Sequence, residues 1–290
     1  AESYYAELGG YSADNCVHLL NPLSQDLSVM RRTLLFGGLE SIAHNINRRN
    51  GDVAFYEFGN IYSYNPAKES TPENPLAPYS ESSRMALWMA GDTRRSNWLR
   101  QAEAATFYDL KAAVTNVLLR AGIKPVFKPA EVPANGIYSQ ALEVSTVKGA
   151  LLGTLGTVNN AILRNCDIKE AVVYAELDWD AICRTAARTN ALYTPLPKTQ
   201  PVKRDLSLLL NCSVSMADVE AAVRDADRRI LSGVELFDVY EGDKLPAGKK
   251  SYAISITLQD PEKTLQEKYI DKVMAKVVDN LKKQLGAELR

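Results

Sequence analysis

Four segments between Lys203 and Arg290 decide the fold: KRDLSLLLN (Lys203–Asn211), GVELFDVYEG (Gly233–Gly242), KKSYAISITL (Lys249–Leu258) and KYIDKVMAKVVDNLKKQLGAELR (Lys268–Arg290). Asp205–Asn211, Gly233–Tyr240 and the alternating Ser251–Leu258 are apolar and β-branched between turn residues, which predicts strands. The turn EGDKLPAGKK predicts that the last two pair as a hairpin. Between the first two strands, Ser215-x-x-Asp218 is a capping-box start for a helix running to about Arg228. Thr264-x-x-Glu267 marks a second helix start. Ile270, Val273, Met274, Val277, Leu281 and Leu285 then step by three or four and form one buried stripe. Ala287–Leu289 can add a short final strand.

The order is β-α-β-β-α-β, the ferredoxin-like arrangement. Both helices cover one side of its sheet and leave the other open. Upstream, TPLPKTQP (Thr194–Pro201) holds three prolines and reads as a linker. It divides the chain into domains 1–193 and 194–290. NPAKESTPENPLAP (Asn65–Pro78) reads as a surface loop. In the first domain, Leu35, Leu39, Ile42, Ala43 and Ile46 predict an amphipathic helix over about Arg32–Asn47. Thr106–Gly122 is a second helix, with Thr106 as N-cap, Asp109 three residues on, and Gly122 at its end. Val53–Tyr62, Arg84–Gly91, Ala141–Thr146, Ala150–Val158 and Ala171–Leu177 read as strands. Without a regular βαβ alternation, the class is α+β with an antiparallel sheet.

Composition narrows the function classes. The 290 residues are 46% hydrophobic and 24% charged, an ordinary globular mixture. No apolar run approaches the roughly 18 residues of a membrane span, and AESYYAELGG lacks the features of a signal peptide. The missing initiator Met suggests a piece of a longer protein. Cys16, Cys166, Cys183 and Cys212 form no CxxC pair, and only His18 and His44 supply imidazoles. Zinc sites and a Ser/His/Asp triad are therefore disfavoured. Net charge is −1, and residues 194–290 alone carry +1. Any RNA contact must come from a few placed groups rather than a basic field.

No GxxxxGK[ST] loop is present, and LLGTLGTVNN (Leu151–Asn160) reads as a strand with close backbone approach and no clear following helix. Basic groups lie beside aromatics in the second domain: Lys203 and Arg204, then Lys249 and Lys250 with Tyr252, and Tyr240 after Asp238. A tyrosine on an open sheet can stack an unpaired base, an Asp can accept from a base edge, and cations can hold phosphates. The alternative is that Tyr240 packs at a hairpin and the Lys pair is a solvated turn.

KRDLSLLL (Lys203–Leu210), ELFDVYEG (Glu235–Gly242), LPAGKKSYAISITLQDPEKTL (Leu245–Leu265) and LGAELR (Leu285–Arg290) resemble, in order and spacing, the C-terminal domain of the bacterial phenylalanyl-tRNA synthetase β subunit. The resemblance implies a ferredoxin-fold anticodon reader. It implies that Ser207, Asp238, Tyr240, Ser251 and Arg290 fall where the family contacts the anticodon, with Lys203, Arg204, Lys249 and Lys250 as candidate phosphate contacts. LLNPLSQDLSVMRRTLLFGGLESIAHNINR (Leu19–Arg48) and AFYEFGNIYS (Ala54–Ser63) resemble the class II synthetase-like module of the same subunit. Active class II enzymes place an Arg and a Glu just after the matching strand, where SYNPA (Ser63–Ala67) stands here. The glycine-rich stretch ending in an ATP-positioning Arg is also missing.

The resemblance thus implies a noncatalytic module with no catalytic residue, metal or cofactor of its own. ATP and Mg²⁺ would be used by the holoenzyme, whose editing and OB-fold regions would lie upstream of Ala1. The implied partners are phenylalanine tRNA and a catalytic α subunit in an (αβ)2 assembly, in the cytoplasm, with no membrane or DNA. The helix Arg32–Asn47 is a candidate for the α interface, with internal core as its alternative. Two rival readings are an autonomous small-molecule adenylating enzyme of class II ancestry and an independent RNA-binding protein.

Overall fold

The computed structural model describes residues 2–6, 8–189, 193 and 195–290. The chain divides into two compact units, Ala1–Ala191 and Leu192–Arg290. Thr194, where the sequence places the domain break, lies outside the described residues.

The first unit is built on a six-stranded antiparallel sheet. Its elements are α1 (Leu35–Ile46), β1 (Val53–Tyr64), β2 (Tyr79–Ala90), β3 (Asp92–Arg94), β4 (Glu103–Ala104), α2 (Phe107–Arg120), β5 (Pro125–Pro129), β6 (Tyr138–Thr146), β7 (Leu151–Val158), α3 (Asn160–Asn165), β8 (Val172–Asp178) and α4 (Trp179–Ala186). The large sheet runs β1-β2-β8-β7-β6-β5, with β3 and β4 forming a separate ribbon. Successive strand residues face opposite sides. On β2 and β8, Ala86, Trp88, Ala90, Val172 and Tyr174 join a core with α1. Met85, Leu87, Val173, Ala175 and Leu177 join a second core under α2 and α4. Helices on both faces explain why MALWMA reads as an unbroken apolar run.

Several boundaries differ from the sequence reading, each for a local reason. The first helix begins at Leu35, not Arg32. Its N-terminal groups are met from another strand: the Glu176 carboxylate accepts from the Thr33 hydroxyl at 2.6 Å and the Leu34 N–H at 3.0 Å. A short helix, α3, does follow LLGTLGTV, because Asn159 caps it by accepting from the Ala161 N–H at 3.0 Å. Asp178 caps α4, an element the sequence did not announce, by accepting from the Ala181 N–H at 2.8 Å.

The second unit contains β9 (Val202–Asn211), α5 (Met216–Arg224), β10 (Leu231–Tyr240), β11 (Lys249–Leu258), α6 (Glu267–Leu285) and β12 (Glu288–Leu289). Its antiparallel sheet runs β10-β11-β9-β12, so the first strand is central and the last lies beside it. The Ser215–Asp218 capping box forms as expected. The one expected at Thr264 does not. Asp260 instead accepts from the Glu262 and Lys263 N–H groups and holds a turn, and α6 starts at Glu267 without a side-chain cap. Gly286, at φ +62°, ends α6 in a left-handed conformation that an L side chain adopts at a cost. Leu208, Leu210, Ile254, Ile256 and Leu258 pack under the two helices. Between those helices, Asn280 Nδ2 donates to the Ala222 carbonyl at 3.1 Å and Lys276 Nζ to the Ala226 carbonyl at 2.7 Å.

Candidate nucleic-acid interface

Register places the open face residue by residue. On β9 the even positions Leu206, Leu208 and Leu210 face the helices, so Lys203, Asp205, Ser207, Leu209 and Asn211 face away. Pairing carries this alternation to β11: Ser251 lies opposite Leu209, Ala253 opposite Ser207, and Ser255 opposite Asp205.

Strand β10 would not follow the same alternation without its bulge. Leu236 lies opposite Ile254 on the helix side, and strict alternation would send Asp238 and Tyr240 there too. A register shift between Leu236 and Asp238 makes Phe237 an extra residue. Asp238 then pairs with Ala253 and Tyr240 with Ser251, both on the open face. At the opposite edge, Glu288 lies opposite Leu209, and the Arg290 N–H donates to the Ser207 carbonyl at 3.0 Å.

Two rows therefore cross the open face, Tyr240–Ser251–Leu209–Glu288 and Asp238–Ala253–Ser207–Arg290. At the usual strand spacing each spans about 14 Å, and the rows lie about 7 Å apart, room for a few nucleotides. The structure thus brings Ser207, Asp238, Tyr240, Ser251 and Arg290 together. Tyr240 is 37% exposed, whereas Ser251 beside it is only 7% exposed. The small side chains of Ser207, Ser251 and Ala253 leave the middle of the face low, with the ring at one border. The next row, Glu235–Ser255–Asp205, is acidic and repels phosphates from that end.

The four cations do not share one side. Lys203 is exposed on the open face, and Lys249 lies there with Nζ 3.7 Å from Glu288. Arg204 and Lys250 fall on the helix side. Arg204 is ion-paired with Glu267 at the start of α6. Lys250 is 7% exposed, with Nζ 4.6 Å from the centre of the Tyr252 ring, itself part of the core. Expecting Lys249 and Lys250 to act as a pair overlooked the alternation, which turns neighbours to opposite faces. The sequence reading also missed Phe237, 58% exposed at the bulge, and Gly242, against which Tyr240 lies. Nothing in the residue types of ELFDVYEG marks the shifted register.

Two clefts of the first unit, both bordered by Tyr4 and Phe36, offer little to ATP and its metal. A cleft of about 430 Å³ lies between Tyr4, Phe36, Asn135, Asn159 and Cys166 and, among the described residues, is lined by no charged side chain to meet a triphosphate. A second, of about 640 Å³, offers one cation, Arg31, which Glu57 holds at 2.6 Å, and two carboxylates, Asp26 and Glu40. Arg32 is engaged as well: its guanidinium lies over the Tyr11 ring at 4.9 Å and donates to the Ser12 carbonyl at 2.8 Å. The phenols of Tyr174 and Tyr138 are held above their ordinary range by burial, reinforced by the Glu176 charge. Among the described residues there is no cluster of three metal-ligating side chains, and no helix long and apolar enough to cross a membrane.

Comparison with known proteins covers almost the whole chain. Residues 2–179 match the family model for the phenylalanyl tRNA synthetase beta chain CLM domain, and residues 197–290 that for the ferredoxin-fold anticodon binding domain. The chain is 44% identical to the phenylalanine–tRNA ligase beta subunit of Porphyromonas gingivalis over 290 residues, all of this chain and 35% of that protein. It is 45% identical to the beta subunit of Bacteroides fragilis over 288 residues, 99% of this chain and again 35% of the relative. The chain thus spans about a third of the length of these relatives. Among solved structures, a pyrrolysyl-tRNA synthetase of Desulfitobacterium hafniense is 13% identical with a TM-score of 0.44, covering 65% of this chain and 60% of that one.

Proposed function

The chain belongs to the phenylalanine–tRNA ligase beta-subunit family, and from that premise we propose that residues 194–290 bind the anticodon of phenylalanine tRNA. Residues 1–193 act as a noncatalytic class II synthetase-like module that supports a catalytic α subunit. The observation that carries this reading is the open face, where a bulge sets Asp238 and Tyr240 beside Ser251, Ser207 and Arg290. Tyr240 supplies a ring for stacking, Asp238 and the serines supply base-edge partners, and Arg290, Lys203 and Lys249 supply cations for the backbone. Arg204 and Lys250 are left out of this assignment by their side of the sheet.

Attachment of phenylalanine to its tRNA, with ATP and Mg²⁺, is assigned to the holoenzyme as an (αβ)2 assembly in the cytoplasm. The engagement of Arg31 by Glu57 and of Arg32 by Tyr11 and Ser12 supports a division of labour in which this chain holds and recognises while another subunit does the chemistry. The exposed apolar segment that includes Leu20 and Leu23, at 98% and 93% exposure, supports an α-facing surface near Leu19–Arg48. For α1 itself, the burial of Leu35, Leu39 and Ile42 supports a core role for its apolar stripe. No specific observation favours an autonomous adenylating enzyme or an independent RNA-binding protein.

The test is Tyr240→Ala in the full chain, read by binding to an anticodon stem-loop of phenylalanine tRNA. A loss of about 1–3 kcal/mol is expected for one stacked base. An unchanged affinity would return Tyr240 to packing at the hairpin.

A further inference from the structure

We propose that Gly242 is a positioning residue for Tyr240: lacking a Cβ, it lets the phenol rest in one place on the open face, poised to stack before RNA arrives. The proposal rests on the reading of that face as the anticodon-binding surface. Gly242 follows the end of β10 by two residues and is not among the residues with positive φ. Its backbone therefore suits any amino acid, and conformation does not explain a glycine there.

The space does explain it. A Cβ built on Gly242 would lie 2.8 Å from Tyr240 Oη, 3.0 Å from Cζ and 3.5 Å from Cε2. All three nearest atoms belong to one ring. Comfortable carbon contacts begin near 3.5 Å, so any side chain at 242 displaces the phenol. The ring is the part free to yield, because Tyr240 is 37% exposed and lies outside the helix-side core. The cost of a larger residue thus falls on the placement of Tyr240 and little on the fold. A ring already held in its bound position gives up less rotamer freedom when a base stacks on it, and this preorganisation strengthens binding. On the other flank, Ser251 directly opposite Tyr240 is small and 7% exposed, so the ring has a low neighbour on the sheet and a Cβ-free one at the turn.

A mutant cycle in the full chain tests the proposal, with the anticodon stem-loop of phenylalanine tRNA as probe. Tyr240→Ala is expected to weaken binding roughly 5- to 150-fold, the worth of one stacked base. Gly242→Ala is expected to weaken it by at least about fivefold, the lower end of that range, while leaving the thermal unfolding midpoint in place. In the Tyr240→Ala background, Gly242→Ala should change affinity by less than about twofold, because its effect is transmitted through the ring. In the Tyr240→Phe background the penalty should shrink, since the atom nearest the new Cβ is gone. Wild-type binding by Gly242→Ala alongside weak binding by Tyr240→Ala would overturn the positioning role and leave the anticodon reading intact. A Gly242→Ala penalty of undiminished size in the Tyr240→Ala background would also overturn it. Wild-type binding by Tyr240→Ala would instead remove the reading on which the proposal stands.

Discussion

Lys249 and Lys250 are neighbours in the chain with opposite surroundings. Lys249 shares the open face with Asn211 and Glu288, whereas Lys250 is folded under the sheet against Tyr252. Side-chain alternation makes this difference, and a pair of like residues hides it from composition. Lys250→Met is therefore expected to leave affinity for the anticodon stem-loop unchanged. It should lower stability by about 0.5–2 kcal/mol, the worth of a largely desolvated cation–π contact. Lys203→Ala should do the reverse, weakening RNA binding with little effect on stability. Stem-loop titration and chemical denaturation of both variants check this, and a binding defect in Lys250→Met would place that ammonium back among the RNA contacts. At this scale residue chemistry and the resemblance of ELFDVYEG both pointed to Asp238 and Tyr240. Which way they face was not legible, because it depends on one extra residue, Phe237, that only pairing with β11 exposes.

Elements were most legible where their ends are fixed by their own residues. The capping boxes Thr106–Asp109 and Ser215–Asp218 both form. The ends that depend on distant groups were not legible. Thr264 was expected to cap α6, but Asp260 builds a turn ahead of the helix, and α1 is met at its N-terminus by Glu176 from β8. Hydrogen bonds from Ser215 hold the Asp218 carboxyl below its ordinary range. An Asp with a depressed folded pKa stabilises above the unfolded value, about 3.9, and that contribution disappears as pH falls through the folded value. Asp218→Ala should therefore cost about 0.3–1 kcal/mol at pH 7. The difference from wild type should shrink below about pH 4, as read by denaturation at the two acidities.

The glycine pair of α1 gives a sharper element-scale contrast. Gly37 is exposed, and a Cβ there would meet nothing within 4 Å, while the same atom on Gly38 would run into the Trp88 indole. Gly37→Ala should stabilise by up to about 1 kcal/mol through helix propensity. Gly38→Ala should destabilise by roughly 1–3 kcal/mol, because overpacking against a buried Trp outweighs the same gain. Equal shifts in the denaturation midpoint would contradict the packing of α1 on β2.

At the scale of the whole molecule, one unit has its sheet buried on both faces and the other leaves a face open. The open face was legible in the β-α-β-β-α-β order and the alternation of SYAISITL, whereas MALWMA was read only as a strand and its cover on both faces came from the packing of α1, α2 and α4. The outline of the ferredoxin-like unit followed from strand and helix order, but the separation of its four cations onto two sides did not. Net charge of +1 over residues 194–290 means that no general basic field can drive RNA binding. In the proposed function, recognition rests on the few groups of the two rows. The most direct measurement is affinity of the full chain, at one stated salt concentration, for the anticodon stem-loop of phenylalanine tRNA and for the same stem-loop with a changed anticodon. Weaker binding to the changed loop, by about 1–3 kcal/mol per substituted base edge, is the predicted result; equal binding to both would contradict the reading of the open face as an anticodon reader.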